Sequence, residues 1–165
     1  MASNEAFKQE IIKIIQNPDL DAVTLSSRWS SAISNWINSI PFMVSFASES
    51  RASISGIING ALITGLSVPT PANSFEISLI SGLSLAAVAI MKDPTIIAAN
   101  AATPPALIIA PTAPFALTSV SALSVPAILG GPDATKEQYA QAYVTDFNIW
   151  GLTGLYALPR QGAWG

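Results

Sequence analysis

The 165-residue chain contains no histidine and no cysteine. The first absence removes the Ser-His-Asp triad, the Cys-His pair and the HExxH zinc site. The second removes disulfides and thiolate metal sites. Charge is scarce as well: 10% of residues are charged, against roughly 25% in an ordinary soluble domain. The seven cations, Lys8, Lys13, Arg28, Arg51, Lys92, Lys136 and Arg160, are dispersed, and the net charge is −3. No phosphate-tracking stripe results, so nucleic acid is not an expected partner. The carboxylates are scattered one or two at a time, and no calcium-loop pattern follows Asp19 and Asp21. Gly-rich phosphate loops, Ser-x-x-Lys and Gly-x-Ser-x-Gly are all missing. Neither an enzyme nor a cofactor is expected from this set.

Long hydrophobic runs are missing too. A membrane span needs about 20 consecutive apolar residues. Ile77 to Met91 is too short, holds Ser78, Ser81, Gly82 and Ser84, and is bounded by Glu76 and Lys92. Ala52 to Phe75 is interrupted by serines, Asn59, Pro69 and Pro71, and no Lys/Arg cluster flanks either stretch. The start, Met1-Ala-Ser-Asn-Glu5, does not read as a secretory signal peptide.

What is present is apolar. Half the residues are hydrophobic, and the mean hydropathy is +0.48. So few charges cover a small domain thinly, which points to apolar surface sealed by other copies or partners. A Ser/Asn-rich soluble surface is the plainer reading. An integral membrane protein spanning through 52–91 as a helical hairpin, or a soluble helical module binding a small molecule or lipid, are the alternatives.

One domain is expected over 1–165, mainly α, as an apolar helical bundle. Asn4 to Gln16 carries Phe7, Ile11, Ile14 and Ile15 at helical spacing, with Ser3 or Asn4 as a cap and Asn17-Pro18 as a stop. Asp19 to Thr24 reads as a connector. A second helix runs from Leu25 or Ser26 to Ile40, with Trp29 and Trp36 on one face, either core anchors or an interface hot-spot pair. Phe42 to about Gly65 reads as a third helix, with Ile54, Ile58 and Leu62 inward and Gly56-Ile-Ile-Asn-Gly60 as a close-packing spacing. Asn73 is placed to cap a helix reaching Lys92, with Glu76 at its third position. That helix is apolar nearly all round, with Leu79, Leu83, Ala86, Ala87 and Ile90 on one face and Ile77, Leu85 and Val88 elsewhere, and should be central to the fold or to assembly.

From Pro94 to Pro132 there is no charged side chain, yet prolines stand at 94, 104, 105, 111, 114, 126 and 132. This is too apolar for a solvated linker and too broken for one helix. Thr95 to Ala102 allows one or two helical turns; Ala106 to Ala110 and Phe115 to Val125 read as short strands or extended arms. The expectation for about 94–132 is an extended Pro-rich arm, lying on a neighbouring subunit or on its own helical core. Residues 133–165 make a C-terminal helix and tail: Thr135-Lys-Glu-Gln138 is a capping box, and Tyr139, Ala142, Tyr143, Phe147 and Trp150 share a face. Trp164, beside the last residue, should dock in a groove of this chain or a neighbour. The interface candidates are Trp29, Trp36, Pro104, Pro105, Ile108, Phe115, Trp150 and Trp164.

The run Tyr139-Ala-Gln-Ala-Tyr143 leading into Trp150-Gly-Leu-Thr153-Gly154, the tail ending at Trp164, and Arg28-Trp29-Ser-Ser-Ala32 near the front carry a likeness of pattern. Over most of its length the chain resembles small virion structural proteins of tailed bacteriophages. The resemblance implies a multi-copy structural role in a tail, baseplate, neck or capsid-associated position. Its partners would be copies of itself or other particle proteins, and its location the virion, assembled in the host cytoplasm.

Overall fold

The computed structural model describes residues 3–17, 20–45, 49–67, 74–102, 108–157 and 161–165. The described chain is mainly helical, as the spacing of its apolar residues and its capping signals predict. The helices are α1 (Asn4–Ile15), α2 (Ala22–Asn38), α3 (Pro41–Ser45), α4 (Glu49–Ser67), α5 (Phe75–Met91), α6 (Pro94–Ala102), α7 (Thr118–Ile128) and α8 (Lys136–Gly151). Three two-residue strands, β1 (Ile108–Ile109), β2 (Leu155–Tyr156) and β3 (Gly162–Ala163), form an antiparallel sheet in that order.

Local chemistry explains most helix starts. α2 begins at Ala22, inside the expected connector, because Asp21 caps it: its carboxylate accepts from Thr24 N at 2.9 Å and from Thr24 Oγ1 at 2.8 Å. Those two bonds hold the Asp21 carboxyl below its usual pKa. Pro41 opens α3 at the first helical position, where its missing N–H costs nothing. Ser74 caps α5 by accepting from Ile77 N at 3.3 Å; the expected cap, Asn73, lies outside the described residues. The capping box of α8 forms as its spacing dictates, with Thr135 and Gln138 bonding reciprocally. α1 differs. Ser3 stands at its cap without a side-chain bond, and Asn4 Oδ1 instead accepts from the Trp36 indole at 3.1 Å.

α2 packs on α1 and α4, α4 on α5, and α8 on α1 and α7. The core is threaded by aromatic rings in contact. Phe7, Trp36 and Phe147 join α1, α2 and α8 with centroids 4.9–5.8 Å apart. Phe115 continues from Phe147 to Trp150, and Trp164 from Trp150 to Phe42. Trp29 meets Phe75 and Tyr143 in a second group.

α4 and α5 approach closely at Gly82, where an added Cβ would lie 3.2 Å from Ala61 Cβ. The expected close-packing pair is on the other side of α4: a Cβ at Gly56 or Gly60 would meet nothing within 4 Å. Spacing identified a small-residue stripe, but α4 turns it outward because Ile54, Ile58 and Leu62 claim the buried face.

Candidate assembly surface

The 94–132 segment is not an extended arm over its length. Among the described residues it is helical over α6 and α7, with the short strand β1 and an irregular run over 110–117 before α7. Asp93 and Pro94 start α6: Asp93 accepts from Thr95 N at 2.8 Å, and Pro94 takes the first helical position. α7 contains Pro126 in its last turn, where the proline has no N–H to donate to the carbonyl of Ala122.

Among the described residues, side chains of the chain itself bond several of the segment's backbone groups. Asn100 grips Ile108 at both backbone groups, Nδ2 donating to the carbonyl and Oδ1 accepting from the amide, each at 2.8 Å. Thr153 Oγ1 accepts from Thr112 N and Ala113 N at 3.1 and 3.2 Å while donating to Trp150 O. Asp146, buried on α8, accepts from Ser119 N and Val120 N at 2.9–3.1 Å and so caps α7, whose own N-cap residue, Leu117, has no acceptor. A segment whose donors are met this way lies on its own fold, the second of the two readings of its sequence.

The eight expected interface residues fall as follows. Trp29, Trp36, Ile108, Phe115, Trp150 and Trp164 are all buried within this chain's own core. Pro104 and Pro105 lie outside the described residues. Trp164 N donates to Gly151 O and Gly154 O, each at 3.1 Å, so the tail closes the end of α8. The tail backbone comes so near that a Cβ on Gly151 would sit 2.5 Å from Gly165 N.

The apolar surface that is exposed belongs to other residues. On α5, Leu85 and Val88 face outward, opposite the buried Leu79, Leu83, Ala86 and Ile90. In the sheet, Ile108 pairs with Tyr156 and both are buried; Ile109 pairs with Leu155 and both are exposed. Ile149 and Leu152, three residues apart at the end of α8, are exposed too. Sequence reading reaches Leu85 and Val88 through the all-round apolarity of α5 and takes Ala106 to Ala110 as a short strand or extended arm, but has no signal for the pairing of Ile109 with Leu155 or for its outward face, since a two-residue strand has no readable alternation.

Two features stand out by shape. The first is a groove of about 370 Å³ between α5 and the 110–115 run, walled by Val88, Met91, Pro111, Pro114 and Trp150, with Lys92 the one charged residue among its described lining. The second is the tip after α7, where Ile128 and Leu129 are 80% and 81% exposed. Gly130 there has φ +82°, Gly130 N donates to Ala127 O, and Gly131 N to Pro126 O. Those two bonds with a left-handed glycine make a Schellman motif, which fixes the tip.

Among the described residues no single helix is long and apolar enough to cross a membrane; α5 and α6 reach that length and hydropathy only as a pair bent by 61°. No group of three or more carboxylates placed to hold a metal ion occurs among them either. No protein-family model, curated protein or solved structure matches this chain.

Proposed function

We propose that this protein is a non-enzymatic structural subunit of a multi-copy assembly, of the kind found in the virions of tailed bacteriophages, and that it works through buried apolar contacts between subunits. The observation that carries the reading is the set of exposed large apolar side chains, Leu85, Val88, Ile109, Leu155, Ile128 and Leu129 among them, on a chain with so little charge. Single exposed apolar residues are normal on any protein; paired and clustered ones mark surfaces that other proteins cover. Of ion pairs, the described residues hold one, between Lys13 and Glu10 at the exposed surface of α1. Contacts made without charge are insensitive to salt, which suits a particle outside the cell.

The test is the molar mass of the untagged protein in detergent-free buffer, by light scattering after size exclusion at low and high salt. A salt-resistant oligomer is expected. A monomer at every concentration refutes the assembly reading, and recovery only in detergent transfers the apolar surface to a membrane. Antibody labelling of tailed particles from the organism that encodes the chain tests the virion assignment: particles that never carry the protein would overturn it.

A further inference from the structure

The exposed tip and the apolar groove lie at opposite ends of the same helical hairpin. The tip at Ile128 and Leu129 precedes the start of α8, whereas the groove is walled by Trp150, near its end. Fifteen residues of α-helix separate Thr135 from Trp150, about 22 Å at 1.5 Å per residue. The tip cannot reach the groove of its own chain, because the Schellman motif and α8 hold the two apart.

We infer that the Ile128–Leu129 tip of one copy inserts into the α5/110–115 groove of the next. This rests on the assembly reading and names its contact. The occupant is a second copy of this chain because each feature matches the other. Both are apolar; the tip is a fixed pair of branched side chains and the groove is an open hollow. Charge agrees as well. Among the described residues lining the groove, Lys92 alone is charged. The tip is followed by Asp133, then Lys136 and Glu137, a local net charge of −1. Neither Lys92 nor Asp133 has an ion-pair partner among the described residues.

A tip that docks on a different surface of its neighbour makes a heterologous, head-to-tail contact. Such contacts propagate and close into a ring or continue as a filament, depending on the rotation per copy. One interface of this type is enough to place many copies of a single chain.

The absence of native cysteine makes the contact directly testable. A chain carrying both Leu129→Cys and Val88→Cys should, on oxidation, give a ladder of dimers, trimers and higher species that collapses on reduction. Each single variant should stop at dimers. Leu129→Asp, at an exposed position and with retained folding checked by circular dichroism, should weaken self-association on the order of thirty-fold, the effect of losing a hot-spot residue. Lys92→Glu should weaken it up to about five-fold, with recovery when mixed with Asp133→Lys chains. If the parent protein assembles but the double-cysteine chain gives no ladder and Leu129→Asp assembles unchanged, this contact is wrong while the assembly reading stands. If the parent remains monomeric throughout, both fall.

Discussion

Replacing Asp146 with Ala removes the acceptor that starts α7. Asp146 is 2% exposed, and its carboxylate takes the amides of Ser119 and Val120 at 2.9–3.1 Å. The N-cap residue itself, Leu117, has no side-chain acceptor to take its place. A buried donor left without an acceptor costs about 1–3 kcal/mol. Two such donors, partly relieved by entering water and by fraying of the first turn, give a loss of about 3 kcal/mol. Asp146→Asn keeps one oxygen for Ser119 but turns an NH₂ toward the Val120 amide, so it should lose about 1–2 kcal/mol by the same rule. For a chain of this length the Ala variant should melt about 6–12 °C lower. The assay is urea unfolding with the m-value held against the parent, together with hydrogen exchange at Ser119 and Val120. Exchange at those two amides should accelerate in Asp146→Ala beyond the global change. A variant within about 0.5 kcal/mol of the parent, the scatter of ordinary surface substitutions, would refute the cap. Since α7 carries the Ile128–Leu129 tip, the same variant should also weaken self-association under conditions where it remains folded.

Gly151→Ala should destabilise the chain by about 1–3 kcal/mol, because the new Cβ would meet the tail backbone at 2.5 Å. Acrylamide should then quench the Trp164 emission, read as the difference from a Trp164→Phe background; unchanged quenching would contradict a docked tail. Tyr143 should titrate late, its pKa pushed up to about 12 by burial and then by the charges of Glu76, Tyr139 and Asp146. The phenol is raised in the folded state, so the stability it contributes is whole below pH 10. That stability, about 3 kcal/mol, is lost between pH 10 and 12. An ultraviolet titration in which all three tyrosines ionise together near 10, or in which Tyr143→Phe removes no late phase, would exclude this. Thr135→Ala should cost about 1 kcal/mol through the broken capping box and lower the melting temperature by about 2–4 °C; no change by calorimetry would show the box to be unimportant to α8.

The parts of the fold legible in the sequence are those whose causes are local. The capping box of α8 and the buried stripes of α2, α4 and α5 depend on residues three or four apart, which a linear reading sees. The Asp21 cap was equally local, but Asp19 and Pro18 beside it made the stretch resemble a connector. α7 was hidden for a different reason. Its acceptor, Asp146, comes from another helix 26 residues downstream of Val120, and its uncharged sequence ends in a proline that argues against a helix. The Leu129-Gly-Gly131 run was a readable helix stop whose meaning depended on recognising the helix before it. The site was the least legible. Trp29, Trp36, Phe115, Trp150 and Trp164 are the residue types that anchor interfaces and cores alike. Only tertiary placement assigns them to the core and leaves Val88, Leu129 and the Ile109–Leu155 pair outside.

That placement bears on how such a subunit could bind tightly with few polar contacts. Association is opposed by the ordering of whatever enters the interface, on the order of 0.5–1.5 kcal/mol for each side chain immobilised. A floppy apolar loop would also lose backbone freedom on docking. Here the backbone at Ile128 and Leu129 is already fixed by Gly130 and Gly131 behind it and by Asp146 at the far end of the same helix. Burying each exposed Ile or Leu is then worth about 1.5–3 kcal/mol against side-chain ordering alone. On the proposed contact, the helix cap, the Schellman turn and the apolar tip would act as one device. Loosening the cap at Asp146 should raise the dissociation constant even though Asp146 touches no neighbour, because the tip would have to be ordered on binding. Equal self-association by Asp146→Ala and the parent, with α7 amides exchanging faster in the variant, would separate the two and show that rigidity of the tip contributes nothing to assembly.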